Sequence, residues 1–179
     1  MNDNYRFREI EKEEVSQMFS MIRQRMKWMD EKGIKQWNIV KYDEIYPQAY
    51  YEEERQKGEV FVLEDLTVHE IIGAAVLKEE DSRWGDKTPS IYIHNFVSVT
   101  GQKNAGTMFL QFAEDYARKL GKTYVRLDSA EDNPALAQYY GRHGFVPAGT
   151  CQEGEYRGIL RQKEVNECLL VKGKQVTLS

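Results

Sequence analysis

A short polar loop followed by a helix is the first feature of this sequence that could do chemistry. Residues 100–107 read TGQKNAGT and lie between a β-rich run and a segment with helical periodicity. Backbone N–H groups at the start of a helix converge on one point and carry the positive end of the helix dipole. The loop could therefore bind a pyrophosphate, with Lys103 adding charge. The alternative is that these residues form only a turn.

Three side chains that could transfer protons lie on either side of this loop. His94 precedes it, and an imidazole titrates near neutral pH. Asp128 ends the next β-rich run, and Tyr140 follows in a helical segment; a phenol can donate a proton while it stays neutral. Each residue also has a structural alternative. Asp128 could bind the following loop, His94 could be a satisfied sheet histidine, and Tyr140 could pack on a helix face.

The elements that position these residues are predicted from hydrophobic periodicity. Helices are predicted over residues 15–32, with Gly33 ending the first, and over 47–57, 109–120 and 134–143. Strands are predicted over residues 5–9, 59–64, 71–78, 91–99, 123–128, 145–150 and 167–171. The run from Ile91 to Val99 is expected to alternate, with Ile91, Ile93, Asn95, Val97 and Val99 on one face. One strand–helix–strand crossover thus lies within an otherwise antiparallel sheet.

The segment VRLDSAEDNPALAQYYGRHGF resembles the GCN5-related N-acetyltransferase (GNAT) superfamily. Members carry a strand, a Gly-rich pyrophosphate loop and a helix, then a strand, an Asn, and a helix with a Tyr four residues before Gly-Phe. Here these residues are Asn133, Tyr140, Gly144 and Phe145. The resemblance implies an α/β (α+β) fold, with a mixed, mostly antiparallel sheet of about six to seven strands, splayed parallel central strands and about four flanking helices. It also implies one domain over residues 1–179.

The resemblance further implies an N-acetyltransferase that moves an acetyl group from acetyl-coenzyme A (acetyl-CoA) to the primary amine of a small molecule by direct attack. Tyr140 would protonate the departing thiolate. Asp128 or His94 would act as the general base, and an ordered water is the third possibility. The cofactor-binding residues would be Phe96, Val97, Ser98, Val99, Gln102, Lys103, Asn104, Ala105, Gly106, Thr107, Asn133 and Tyr140.

The loop departs from the family pattern at two positions. Gly101 and Asn104 stand where the family favours Arg or Gln and then Gly, whereas Gly106 matches the final Gly or Ala. Because Asn tolerates the left-handed backbone conformation better than most residues, Asn104 can replace a glycine there.

Two tryptophans and an acidic run could line a pocket for a cationic amine. Trp37 follows the first helix, Trp84 lies in the loop before the strand of His94, and residues 79–81 read EED. Aromatic faces and carboxylates both suit a cation. The alternatives are ordinary packing for each Trp and a solvated face for the acidic run.

Composition limits the other classes of function. The net charge of −4 disfavours nonspecific binding to nucleic acid. Two cysteines and three histidines without ligand spacing predict no metal site. The sequence shows no membrane span and no signal peptide, so a cytoplasmic protein is expected, with a homodimer as a possibility.

Three other functions stay open at this point. The chain could be a noncatalytic acyl-CoA-binding or regulatory module, or it could acetylate a protein or peptide. It could also be a nucleotide-binding crossover domain, although the absence of GxGxxG and GxxxxGK[ST] argues against that.

Overall fold

The computed structural model describes residues 3–165, which form one seven-stranded sheet with helices on both faces. The strand order is β1-β2-β3-β4-β5-β7-β6, and only β4 and β5 are parallel. The strands are β1 (Tyr5–Glu9), β2 (Val60–Asp65), β3 (Glu70–Lys78), β4 (Ser90–Ser98), β5 (Tyr124–Ala130), β6 (Val146–Glu153) and β7 (Tyr156–Glu164). The helices are α1 (Val15–Lys32), the single turn α2 (Tyr42–Ile45), α3 (Gln48–Gln56), α4 (Ala105–Lys119) and α5 (Pro134–Arg142).

Two apolar layers hold the helices against the sheet. On one face, α4 and α5 bury Phe109, Ala113 and Tyr140 against strand residues that include Ile91 and Val125. On the other face, α1 buries Met18, Met21 and Ile22 against β2 and β3, together with Tyr51 of α3. The expected fold class is confirmed.

A β-bulge in β4 overturns the simple alternation predicted for that strand. Val76 of β3 pairs with His94 and Ala74 pairs with Val97, so one residue of β3 faces two of β4. Asn95 takes a left-handed φ of 52° at this point. The extra residue reverses the faces, so Val97 packs with α1 whereas Ile91 and Ile93 pack with α4. A period of two cannot reveal such an insertion.

Strand β7 was not predicted, and it is the strand that joins β5 to the edge strand β6. Its sequence YRGILRQKE contains charged residues that hide the β pattern. Arg161 is nevertheless buried, and its Nε is satisfied there by donating to Ser129 Oγ at 2.8 Å. The strand predicted over residues 167–171 lies outside the described residues.

Candidate active site

The two parallel central strands separate shortly after they begin. β4 and β5 pair only from Ser90↔Tyr124 to Tyr92↔Arg126, although both strands continue beyond these pairs. The sheet therefore has a gap at its centre, with unpaired backbone on both sides. We call this opening the central gap.

The end of β4 presents backbone to the central gap at Ser98. The N–H of Val99 donates to Ile72 O at 2.9 Å, so Val99 faces β3. Backbone groups alternate along a strand, so Val97 also faces β3, whereas Ser98 faces the gap. The Ser98 carbonyl accepts a bond of 2.7 Å from Arg25 Nη2 of α1. Phe96 points the other way from Val97 and stacks on Phe109 with ring centroids 4.9 Å apart.

The loop after β4 makes two left-handed turns before α4 begins at Ala105. Gly101 has a φ of 86°, and Asn104 has a φ of 68° at the N-cap of the helix. The side chain of Gln102 reaches toward Asp65 at 3.5 Å, and Lys103 is exposed. Thr107 Oγ1 lies 3.2 Å from His143 Nε2.

Gly106 is crowded by residues from two other elements. A Cβ at this position would lie 2.6 Å from the Tyr139 hydroxyl and 3.5 Å from Ser98 Oγ. The first turn of α4, the end of β4 and α5 therefore meet at one place. Asn133 caps α5 by accepting from the N–H of Leu136 at 3.0 Å, and its Nδ2 donates to Gln36 Oε1 at 3.3 Å.

Tyr140 is buried in α5, where its ring meets Phe145 edge to face. Burial, with the nearby Tyr139 and the negative charge of Asp128, raises the pKa of the Tyr140 hydroxyl well above its usual value. The phenol therefore keeps its proton at neutral pH.

Both base candidates belong to one ionic network centred on Arg83. Its Nη1 pairs with Asp128 Oδ1 at 2.9 Å, and its Nη2 pairs with Asp81 Oδ2 at 2.7 Å. The same Nη2 lies 3.1 Å from His94 Nδ1. Asp81, which the sequence offered to an acceptor, is thus used inside the protein, and Glu79 of the same run pairs with Lys122.

The network fixes the tautomer of His94. A guanidinium only donates, so His94 Nδ1 must accept from Arg83, and the ring proton belongs on Nε2. That nitrogen lies 3.3 Å from Asp81 Oδ2, although its geometry does not satisfy a hydrogen bond. The one lone pair that could take a proton from a substrate is already bound by Arg83.

Tyr156 of β7 completes the surroundings of Asp128. Its hydroxyl donates to Asp128 Oδ2 at 2.6 Å, and burial with the charge of Asp128 raises the pKa of this phenol. Gly158 leaves room for the ring, because a Cβ there would lie 2.9 Å from the Tyr156 hydroxyl.

Burial, followed by the charge of Asp128, raises the pKa of the Cys151 thiol. The thiol therefore stays protonated and is a weak nucleophile.

A row of aromatic rings leads to this network. Trp37 stacks on Tyr42 with ring centroids 4.5 Å apart, and Tyr42 contacts Tyr46 at 4.7 Å. Burial raises the pKa of the Tyr46 hydroxyl. The charges of Arg83, Asp128 and Asp81 also act on this pKa, so Tyr46 lies near the network. Asn95 fixes the row by donating to the Tyr42 hydroxyl at 2.6 Å and accepting from the Tyr50 hydroxyl at 3.2 Å.

Trp84 is not part of this row. It is buried against Tyr92 and Leu160, and the Arg126 guanidinium lies 4.2 Å from its ring centroid. Arg126 also makes two bonds to Asp86, of 2.8 and 2.9 Å, so these residues anchor the loop over residues 81–90.

Residues 22–145 match the model of the acetyltransferase (GNAT) family. The chain belongs to this family. It is 28% identical over 162 residues to the uncharacterized N-acetyltransferase YesJ of Bacillus subtilis (strain 168), with 86% of each chain covered.

Solved GNAT structures share the fold. A GNAT-family acetyltransferase from Listeria monocytogenes 4b F2365 superposes with a TM-score of 0.73 and 22% identity, covering 89% of this chain and 94% of that one. The PaiA N-acetyltransferase of Thermoplasma acidophilum, solved in complex with coenzyme A, gives a TM-score of 0.69 and 17% identity, covering 89% and 98%. Among residues 3–165, no helix is both long and apolar enough to span a membrane.

Within the GNAT frame, the sequence did not reveal several residues of the site. Arg25, Tyr46, Arg83 and Tyr156 come from four separate elements or loops that carry no motif. An arginine amid the acidic and aromatic residues of the 81–90 loop was the only signal available for Arg83. The structure brings Asp128 and His94 together through it, whereas Trp37 reaches the network only through Tyr42 and Tyr46.

Proposed function

We propose that this GNAT acetyltransferase transfers the acetyl group of acetyl-CoA to the primary amine of a small molecule. The observation that carries the proposal is the central gap. The residues proposed to bind the cofactor lie on one side of it, and those proposed to bind the amine lie on the other. Tyr140, Asn133 and the start of α4 belong to the layer of α4 and α5, whereas Asp128 and the aromatic row face the opposite layer. A donor and an acceptor can therefore meet from opposite sides.

The residues around the gap fit coenzyme A. Ser98 turns its backbone toward the gap at the edge of β4, where no strand pairs with it, although its carbonyl accepts from Arg25. The left-handed turns at Gly101 and Asn104 lead into the N-terminal amides of α4, and Gly106 keeps that approach free of a Cβ. The bound cofactor would supply an activated acetyl thioester. Tyr140 would hold the proton for the leaving sulfur, because its pKa is raised and its hydroxyl is protonated.

We assign the general base to Asp128 rather than to His94. Asp128 accepts one bond at each carboxylate oxygen, from Arg83 and from Tyr156, and a carboxylate has further lone pairs free. His94 has no free lone pair while Arg83 is in place. Tyr46, beside the same carboxylate, would face the amine and exclude water.

The low exposure of the ionic network around Arg83 favours a small-molecule acceptor over a protein. Asp81 is almost completely buried, and Arg83 and Asp128 are each less than one-fifth exposed at the side chain (18% and 16%). The carboxylate and the aromatic row suit a cationic amine that is narrow enough to reach Asp128.

Calorimetry and a turnover assay test the proposal together. Purified protein should bind CoA and should release thiol from acetyl-CoA with at least one member of a panel of polyamines, amino acids and aminoglycosides. A parallel peptide panel, read by mass spectrometry, tests the protein-acceptor alternative. Binding of CoA without turnover on any amine would instead identify a noncatalytic acyl-CoA-binding module.

Tyr140→Phe tests the proposed acid. We expect kcat to fall roughly a hundredfold or more, with CoA affinity little changed, because the hydroxyl is needed only when the sulfur leaves. Tyr116→Phe is the control, since Tyr116 packs on Phe61 away from the gap. Equal activity of Tyr140→Phe and the wild type would remove Tyr140 from the mechanism.

A further inference from the structure

Arg25 is a cation of α1 that forms no ion pair within the described part of the chain. Its side chain is half-buried, lies 4.9 Å from the Trp28 ring centroid, and donates to the neutral carbonyl of Ser98 at 2.7 Å. Within residues 3–165, no carboxylate oxygen lies within 4.0 Å of its guanidinium. Arg23, two residues away, is exposed and faces Asp43 at 3.7 Å.

The position of Arg25 brings it to the start of α4. Its partner Ser98 ends β4 at the central gap, and Ser98 Oγ lies 3.5 Å from the place where a Cβ on Gly106 would stand. The Tyr139 hydroxyl borders the same place at 2.6 Å. Arg25, Ser98, Tyr139 and the first turn of α4 therefore lie close together.

An anion bound between Arg25 and the first turn of α4 would give Arg25 an ionic partner. Burial lowers the pKa of the guanidinium, which means that its charge is poorly solvated, yet an arginine stays charged at neutral pH. A guanidinium matches phosphate oxygens in shape, and the α4 amides favour the same charge. The loop itself offers only the exposed Lys103 as a cation, and Gly101 stands where the family favours Arg or Gln.

We propose that Arg25 binds the pyrophosphate of coenzyme A from α1, and so takes the place of a polar side chain missing from the loop. The inference rests on the proposed function, because it requires a CoA-binding site. Helix α1, which packs on the same face of the sheet as the aromatic row, would then also bind the cofactor.

Calorimetry on Arg25 variants separates the parts of the cofactor. Wild type, Arg25→Met, Arg25→Lys and the control Arg23→Met would each be titrated with CoA, dephospho-CoA and pantetheine. We expect Arg25→Met to weaken binding of CoA and dephospho-CoA by the same factor, roughly ten- to a hundredfold. Pantetheine affinity should be unchanged. Arg25→Lys should lose less, because the charge remains, and Arg23→Met should bind as the wild type does.

Other outcomes would overturn the inference. Equal loss of CoA and pantetheine affinity in Arg25→Met would mean that Arg25 only supports the Ser98 backbone. Loss for CoA but not for dephospho-CoA would place the contact at the 3′-phosphate, and unchanged CoA affinity would remove Arg25 from the site. If circular dichroism shows that Arg25→Met does not fold, the same titrations of Arg25→Lys distinguish these outcomes. Wild-type protein that binds no CoA would contradict the proposed function itself.

Discussion

At the scale of single residues, the chemistry depends on how Arg83 divides its hydrogen bonds. One side of the guanidinium holds Asp128, and the other holds Asp81 and the Nδ1 lone pair of His94. Two residues that look equivalent in the sequence therefore differ in what they can accept. Arg83 is a positioning residue, since it acts through the groups that it holds.

The base assignment predicts different results for two substitutions. Asp128→Asn should lower kcat roughly a hundredfold or more, because an amide cannot take the amine proton. His94→Gln should lower it less than about tenfold, since the Gln oxygen can still accept from Arg83. The measurement is kcat against pH at saturating acetyl-CoA, with CoA affinity as the control. A larger loss in His94→Gln than in Asp128→Asn would reverse the assignment.

At the scale of elements, the site depends on two irregularities in otherwise regular structure. The bulge at Asn95 turns His94 and Val97 to one face, and the left-handed residue Asn104 turns the chain into α4. In both places an asparagine takes a positive φ, which it does at lower cost than most residues. These two asparagines direct the strand end and the helix start toward the same gap.

Gly106→Ala is a test of the helix start. The new Cβ would stand 2.6 Å from the Tyr139 hydroxyl, which must move, so we expect CoA affinity to fall about tenfold. Stability should fall by no more than about 0.5 kcal/mol, because Ala is the better helix former. Gly141→Ala in α5 is the matched control, since its Cβ would meet nothing within 4 Å. Unchanged CoA affinity in Gly106→Ala would show that the cofactor does not pass this residue.

At the scale of the whole molecule, ionic contacts join the loop over residues 81–90 to the sheet at two points. Arg83 binds Asp128 of β5, and Asp86 binds Arg126 of the same strand. Asp81 holds Arg83 from within the loop. Burial by itself raises the pKa of Asp81, but the close approach of His94 and the hydrogen bonds from Arg83 outweigh it and hold the pKa well below its usual range.

This lowered pKa predicts how stability depends on pH. A carboxyl whose pKa is lower in the folded state contributes stability above its unfolded value, near 3.8, and loses it as the pH falls through the folded pKa. Asp81→Asn should therefore lower the free energy of unfolding by roughly 1–3 kcal/mol at pH 7. The difference from wild type should shrink below about pH 4.

Urea unfolding at a series of pH values measures this effect. Glu79→Gln is the control from the same acidic run, since the Glu79 side chain is 62% exposed, and it should change stability by less than about 1 kcal/mol. A difference between wild type and Asp81→Asn that stays constant from pH 7 to pH 3 would contradict the ionic role of Asp81.

The sequence by itself determined the features that short-range physics controls. Periodicity gave the order of the helices and strands up to β6, apart from the single turn α2. The Asn133-Pro134 pair gave the start of α5, and the tolerance of Asn for positive φ explained how Asn104 could replace a glycine. The segment from Asn133 to Phe145 pointed to the family because its spacing is local. These features need only neighbouring residues, so they can be read along the chain.

Only the tertiary structure decided which distant side chains meet. Arg83 lies 45 positions from Asp128, and Arg25 lies 73 positions from Ser98, so neither contact leaves a mark in local spacing. The buried charge of Arg161 concealed β7, and one inserted residue in β4 reversed the faces that its alternation predicted. Ion pairs and register are set by how the strands assemble, because their energies depend on distance in space and on burial rather than on sequence separation.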